Sequence, residues 1–186
     1  MDGKFTMTKT PYVISISAVT GGGKTTVTKL LEKHLNKSIA FCFDDYEYTK
    51  QPGNIGTWVN NGADPKEWDL TLIKNDINDA IQSGCFDFII IDYPFGKKPG
   101  YGIKSLIDTA FFIDTPADIA LARRLIRDYN TGCTEDIIAE LKTYLSSRDL
   151  FIFNEEDKKD YDYIIDGSKS VEEILMSVKQ KIEMRA

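Results

Sequence analysis

The run Ser17-Ala18-Val19-Thr20-Gly21-Gly22-Gly23-Lys24-Thr25-Thr26 constrains this chain more than any other stretch. It joins an apolar, β-branched segment, Tyr12–Ala18 (YVISISA), to a helical pattern whose apolar face is Val27, Leu30, Leu31 and Leu35. A strand turning through glycines directly into a helix is the setting of a phosphate-binding loop. Glycines let backbone N–H groups turn inward without Cβ clashes, and the helix N-terminus adds partial positive charge. Thr20, Gly21, Gly22, Gly23, Lys24, Thr25 and Thr26 therefore form the candidate phosphate cradle. Lys24 would serve the outer phosphate oxygens, and the Thr25 hydroxyl would ligate Mg²⁺. The pattern G-x-x-x-x-G-K-[ST] is incomplete, because Ala18 stands at its first position. A plain glycine turn with a surface lysine is the bland alternative, and the strand-to-helix setting of Gly23-Lys24-Thr25 argues against it.

Four further apolar runs read as buried strands: Ile39–Phe43, Phe86–Ile91, Ala110–Asp114 and Tyr161–Asp166. Near-continuous apolar character, rather than alternation, suits a parallel sheet covered on both faces. Helical patterns lie between them. Asp69–Ser83 carries Leu70, Ile73, Ile77 and Ile81 on one face. Thr115 followed by Pro116 predicts an N-cap and a helix start, and another helix is expected from Glu135 to about Ser147. Ser170 and Glu173 have capping-box spacing ahead of a last helix, Val171 to about Glu183. Strands alternating with helices imply an α/β fold with right-handed crossovers. With no internal repeat and no linker, residues 11–186 read as one domain behind a flexible polar segment, 1–10, that lacks a secretory apolar stretch.

Charge and composition exclude several classes. The net charge of −6 argues against an extended nucleic-acid surface. No apolar run approaches the roughly 20 residues that span a bilayer. Cys42, Cys85 and Cys133 are odd in number and far apart, which reads as free buried thiols of a reducing, cytoplasmic compartment. One histidine and three scattered cysteines make no zinc set. His34, seven residues after Val27, reads as a core residue.

Carboxylates end two of the other strands. Asp44 and Asp45 follow the second strand; a carboxylate there can face the phosphate loop and take a proton from a substrate hydroxyl, Asp44 being the favoured one. Phe88-Ile89-Ile90-Ile91-Asp92 is a buried strand ending in a metal-holding carboxylate. Two long segments, 46–68 and 92–102, follow strand carboxyl ends, where open α/β sheets bind ligands. Tyr46 and Trp68 could stack on a planar substrate, or pack under the long loop. Asp69 reads equally as a ligand to a substrate hydroxyl and as a helix N-cap. Arg123, Arg124 and Arg127 fall within a roughly 100° arc, which suits a lid over phosphates spanning about 123–135. Arg124 and Arg127 are its favoured members.

Together the motifs A-V-T-G-G-G-K-T-T, F-D-D-Y, W-D, I-I-I-D-Y-P-F, A-R-R-L-I-R-D-Y and D-Y-I-I-D-G-S resemble the uridine kinase and phosphoribulokinase-like P-loop kinases. Within that group they look most like nicotinamide riboside kinases. The resemblance runs from about Tyr12 to Ile182. It implies a three-layer P-loop NTPase fold, with a five-stranded parallel sheet in the order 2-3-1-4-5 and helices on both faces. It also implies ATP and Mg²⁺ as cofactors and a small riboside-like acceptor. Asp44 would activate that acceptor, and Asp69 would touch its hydroxyl. Asp92 would stand near metal and substrate, Arg124 or Arg127 in the lid, and Asp166-Gly167-Ser168 beside the adenine. Two departures from the family pattern are Ala18 for glycine and Asp92 where the riboside kinases carry Glu. Two competing readings are a non-catalytic ATP-binding regulatory module and a nucleoside monophosphate kinase. Lys97 and Lys98 are the only candidate cations for the acceptor phosphate of the latter.

Overall fold

The computed structural model describes residues 10–146 and 158–185. The segment 1–9 expected to be flexible, and Ser147 at the expected end of one helix, lie outside them. Five strands are present: β1 Tyr12–Ala18, β2 Ser38–Cys42, β3 Phe88–Asp92, β4 Thr109–Asp114 and β5 Tyr163–Asp166. The α-helices are α1 Lys24–His34, α2 Ile55–Asn60, α3 Thr71–Ser83, α4 Ala117–Tyr129, α5 Thr134–Ser146 and α6 Val171–Glu183. The strands form one parallel sheet ordered β2-β3-β1-β4-β5, the order that the family resemblance implies.

Strand patterning explains the burial. Side chains alternate between sheet faces, so neighbours such as Val13 and Ile14, or Ile89 and Ile90, enter different cores. One core takes Val13, Ile89 and Ile91 with Ile73 and Ile77 of α3. The other takes Ile14, Ile16, Ile90 and Phe111 with Val27 and Leu31 of α1 and Val178 and Ile182 of α6. A strand covered on both faces favours near-continuous apolar sequence, and the serines that interrupt β1, Ser15 and Ser17, are small and buried. The parallel register sets Ile16 and Cys42 level with Asp92, and Ala18 level with Ile113. Every strand's carboxyl end therefore reaches the same edge of the sheet.

Local signals match closely at some ends and not at others. The capping box of α6 is complete: Glu173 N–H donates to Ser170 Oγ at 3.2 Å, and Ser170 N–H to Glu173 Oε2 at 3.0 Å. At α4 the expected cap is displaced. Pro116 is the N-cap, and the buried Thr115 hydroxyl instead donates to the Gly22 carbonyl at 2.9 Å. The segment 46–68 is not wholly irregular, since it holds α2 and a short 3-10 turn, Pro65–Glu67.

His34 is exposed rather than in the core. α1 ends there, and its Nδ1 lies 2.7 Å from the Leu30 carbonyl. The three cysteines are free, but only Cys42 is buried. Cys85 stands just beyond the end of α3 and ahead of β3, and Cys133 lies in the α4–α5 turn. Burial pushes the Cys42 thiol up to about 11.

A disulfide-exchange reagent at pH 8 should therefore react fast with Cys85 and Cys133 in the native protein, and with Cys42 only after denaturation; a thiol titration with each cysteine substituted in turn checks this. Ile77→Ala, which empties a fully buried site between α3 and the sheet, should lower the unfolding free energy by about 2–5 kcal/mol in urea titrations.

Candidate active site

The β1–α1 loop lies at the carboxyl edge of the sheet. Gly21 (φ 82°) and Gly23 (φ 96°) adopt left-handed backbone that side chains disfavour. Gly21 is needed on a second count, because a Cβ there would collide with the Ala120 carbonyl of α4. A Cβ on Gly22 would lie 2.7 Å from Ala18 Cβ and 2.8 Å from the Val19 carbonyl. Ala18 is thus tolerated at the motif's first position because Gly22 leaves room for its methyl group. Ala18 ends β1 and is not among the positive-φ residues.

Not every amide in the loop faces outward. Gly22 N–H donates to Val19 O at 2.8 Å, so this amide is consumed inside the turn. The N–H groups of Lys24, Thr25 and Thr26 open α1, where no preceding helical carbonyl can take them. The first turn of α1 also carries no acidic side chain to offset the helix dipole. Together these groups make an anion-seeking end. A cleft of about 280 Å³ lies over it, lined by residues 20–27, Asp44, Arg123 and Arg127, with Val171 and Ile174 of α6 as an apolar wall.

Lys24 is the electrostatic centre. Its Nζ lies 3.1 Å from Asp44 Oδ2 and 3.0 Å from Asp92 Oδ1. Burial alone would lower its pKa, but the two carboxylates outweigh burial and hold the ammonium above its ordinary range. Asp92 is 1% exposed, and burial pushes its carboxyl up; Lys24 and the Thr25 hydroxyl offset only part of this. Thr25 Oγ1 donates to Asp92 Oδ2. Asp44 is largely exposed on the far side of Lys24, while Asp45 does not line the cleft.

The donor set suits Mg²⁺. Thr25 and Asp92 present a hydroxyl and a carboxylate side by side, both hard oxygen ligands. Asp92 Oδ1 is buried and, its ion pair with Lys24 apart, accepts no hydrogen bond. Mg²⁺ typically takes one or two protein oxygens and completes its shell with phosphates and water. Among the described residues no cluster of three His, Cys, Asp or Glu could cage a metal alone, which agrees with that mode.

The arginines divide differently from the sequence expectation. Arg123 and Arg127 line the cleft, whereas Arg124 turns to α5 and pairs with Glu140 at 2.7 Å. The reason is helical phase: residues i and i+4 share a stripe, and position 124 lies on the side packed against Gly21 and α5. Arg123 belongs to the arc read from the sequence, but the favoured pair there was Arg124 and Arg127; one helical turn back from Arg127 is Arg123, and that is the pair at the cleft. Arg127 forms a bidentate pair with Asp128, at 2.6 and 2.9 Å.

Tyr46, Trp68 and Asp69 do not line the phosphate cleft. Tyr46 donates to Asp76 of α3 at 2.8 Å, tying the long segment to that helix. Trp68 packs edge-on to Phe43 (5.0 Å) and Tyr48 (5.4 Å), in an aromatic cluster that also holds Trp58, Tyr93 and Phe95. Asp69 accepts from Thr49 Oγ1 and from Thr71 N–H (3.1 Å), closing the entry to α3 one residue earlier than a regular N-cap. Val171 and Ile174 escaped the sequence reading. Their signal was the Ser170 capping box, which aims α6 back at the sheet edge.

No protein-family model matches the chain. It is 26% identical over 204 residues to a uridine kinase of Chlamydia pneumoniae, covering 92% of this chain and 88% of the relative. A uridine kinase of Halalkalibacterium halodurans is 24% identical, covering 86% and 87%. Among solved structures, a putative fructose transport system kinase from Silicibacter superposes with TM-score 0.53 at 14% identity, over 88% of this chain and 92% of that one. Shikimate kinase from Bacteroides thetaiotaomicron gives 0.50 at 14%, over 92% and 98%. In sequence the chain is similar to bacterial uridine kinases, which supports a small-molecule kinase, and its fold is that of P-loop kinases.

Proposed function

We propose that the chain transfers the γ-phosphoryl group of ATP to a hydroxyl of a small nucleoside- or riboside-type metabolite. The observation that carries this reading is Lys24 held between Asp44 and Asp92 at the mouth of the glycine loop. The uridine kinase names of the sequence relatives support the acceptor class.

In this mechanism the amides of α1's first turn and Lys24 hold the triphosphate, and Val171 and Ile174 border it. Mg²⁺, held by Thr25 and Asp92, would supply charge neutralisation on the phosphate oxygens. As Lys24 moves onto the phosphates, Asp44 is released to accept a hydrogen bond from the acceptor hydroxyl. The hydroxyl oxygen forms a bond to the γ-phosphorus, the bond to the β,γ-bridging oxygen breaks, and Asp44 takes the proton. The products are ADP and the phosphorylated acceptor. Arg123 and Arg127 add positive charge where the transferred group carries its negative charge. Excluding water from the covered cleft limits ATP hydrolysis.

A monophosphate acceptor is disfavoured by the loop after β3. Lys97 there is committed to Asp162 at 2.7 Å and to the Asp108 carbonyl at 2.7 Å.

ADP release with ATP and a panel of nucleosides, ribosides and nucleoside monophosphates tests the proposal. An unphosphorylated acceptor should stimulate it, and stimulation by none would leave a binding module instead. Asp44→Asn should retain ATP affinity within a few-fold and lose roughly 10²–10⁴-fold in acceptor-dependent kcat. Unchanged turnover would remove Asp44 from the mechanism. Arg127→Ala should cost at least about tenfold in kcat/KM for ATP. Arg124→Ala, which breaks the α4–α5 pair, should show mainly as a lower melting temperature.

A further inference from the structure

We infer that Thr115 is a positioning residue for the phosphate loop, setting the orientation of the Gly22–Gly23 peptide from 93 residues away in sequence. This rests on the reading of residues 20–26 as the phosphate cradle.

Thr115 follows β4, is 6% exposed, and does not line the cleft. Its Oγ1 donates to Gly22 O at 2.9 Å. The carbonyl of Gly22 and the N–H of Gly23 belong to one trans peptide unit and point in opposite directions. Pinning the carbonyl on the β4–α4 corner therefore sends the Gly23 N–H away from that corner, at the residue where α1 begins. Gly22's own N–H is tied to Val19 O, so the loop is held on both sides of this residue.

The constraint is needed because glycine flanks the peptide on both sides. A Gly-Gly unit rotates with little steric penalty, so local sequence alone does not choose which way its N–H points. The surroundings are shaped to seat the hydroxyl. A Cβ on Gly167 would collide with Thr115 Oγ1 and come within 2.8 Å of Thr115 Cα, so a glycine in the β5–α6 loop makes room for it. Gly167 N–H donates to Asp114 O at 3.0 Å, which locks that loop to the same corner. The corner thus grips the phosphate loop on one side and the 166–168 loop on the other.

Loss of the hydroxyl should weaken the grip on outer phosphates without affecting the rest of the nucleotide. Titration calorimetry with ADP and with AMP, on wild type, Thr115→Val, Thr115→Ser and Thr115→Ala, tests this. Wild type should bind ADP more tightly than AMP. Thr115→Val should lose about tenfold in ADP affinity, as expected for an unmade hydrogen bond to a buried carbonyl, and less than about twofold for AMP. Thr115→Ser should return ADP affinity to within about threefold of wild type. If Thr115→Val does not fold, the Ser and Ala variants give the same comparison. Equal losses for ADP and AMP, or an unchanged ADP-to-AMP ratio in both the Val and Ala variants, would overturn the inference and leave the phosphate-loop reading standing. A wild type that does not distinguish ADP from AMP would overturn both.

Discussion

The ammonium of Lys24, about 3 Å from each of two carboxylates, is the contact around which the rest of the site is organised. The three residues come from the ends of three strands or their first turns: Lys24 after β1, Asp44 after β2 and Asp92 at the end of β3. They meet only because the strands run parallel and in register, so that their carboxyl ends share one edge. Asp92 is buried deeply enough that its charge is costly without a cation beside it. Lys24 supplies that cation in the free protein, and the proposed Mg²⁺ would share the role when nucleotide is bound. The same lysine pairs with Asp44, so in the proposed mechanism nucleotide binding and release of the base are linked through this ion pair.

Glycine in the loop serves packing as much as backbone freedom. Gly21 allows the Ala120 carbonyl of α4 to approach, Gly22 admits the methyl of Ala18, and Gly167 admits the hydroxyl of Thr115. The candidate phosphate loop is therefore bordered by α4 and by the β4–α4 corner, against which the loop after β5 packs. Arg123 and Arg127 stand on the helix that presses against Gly21, so movement of α4 would be felt at the candidate phosphate loop. Arg124, on the same helix, is spent on holding α5 through Glu140.

The aromatic cluster around Phe43, Trp68 and Phe95 is built from the two long segments after β2 and β3. Its rings pack T-shaped or tilted, with centroids 4.8–6.1 Å apart, and are continuous with the core on the α3 face of the sheet. Two polar atoms in it, Trp68 Nε1 and Tyr93 Oη, are buried without a hydrogen-bond partner. This cluster fills the side of the sheet edge next to Asp44, where the acceptor of the proposed reaction would approach.

Sequence alone determined the strands and the longer helices, the parallel α/β class and the strand-loop-helix joint at 17–26, but not the short α2 inside the segment 46–68. These follow from local rules: near-continuous apolar runs for doubly covered strands, 3.6-residue stripes for α1 and α3, and cap chemistry at Ser170. Strand order came from the family resemblance, since periodicity carries no information about neighbours in a sheet. What only the tertiary structure decided are the long-range meetings. Thr115 left its expected capping place for Gly22, because a buried hydroxyl bonds the nearest free carbonyl, whatever its sequence distance. Arg123 replaced Arg124 at the cleft because a helix's rotation about its axis is set by what packs against it, here Gly21 and α5. His34, Cys85 and Cys133 lie at element ends, where a pattern along the chain cannot say whether another segment will cover them.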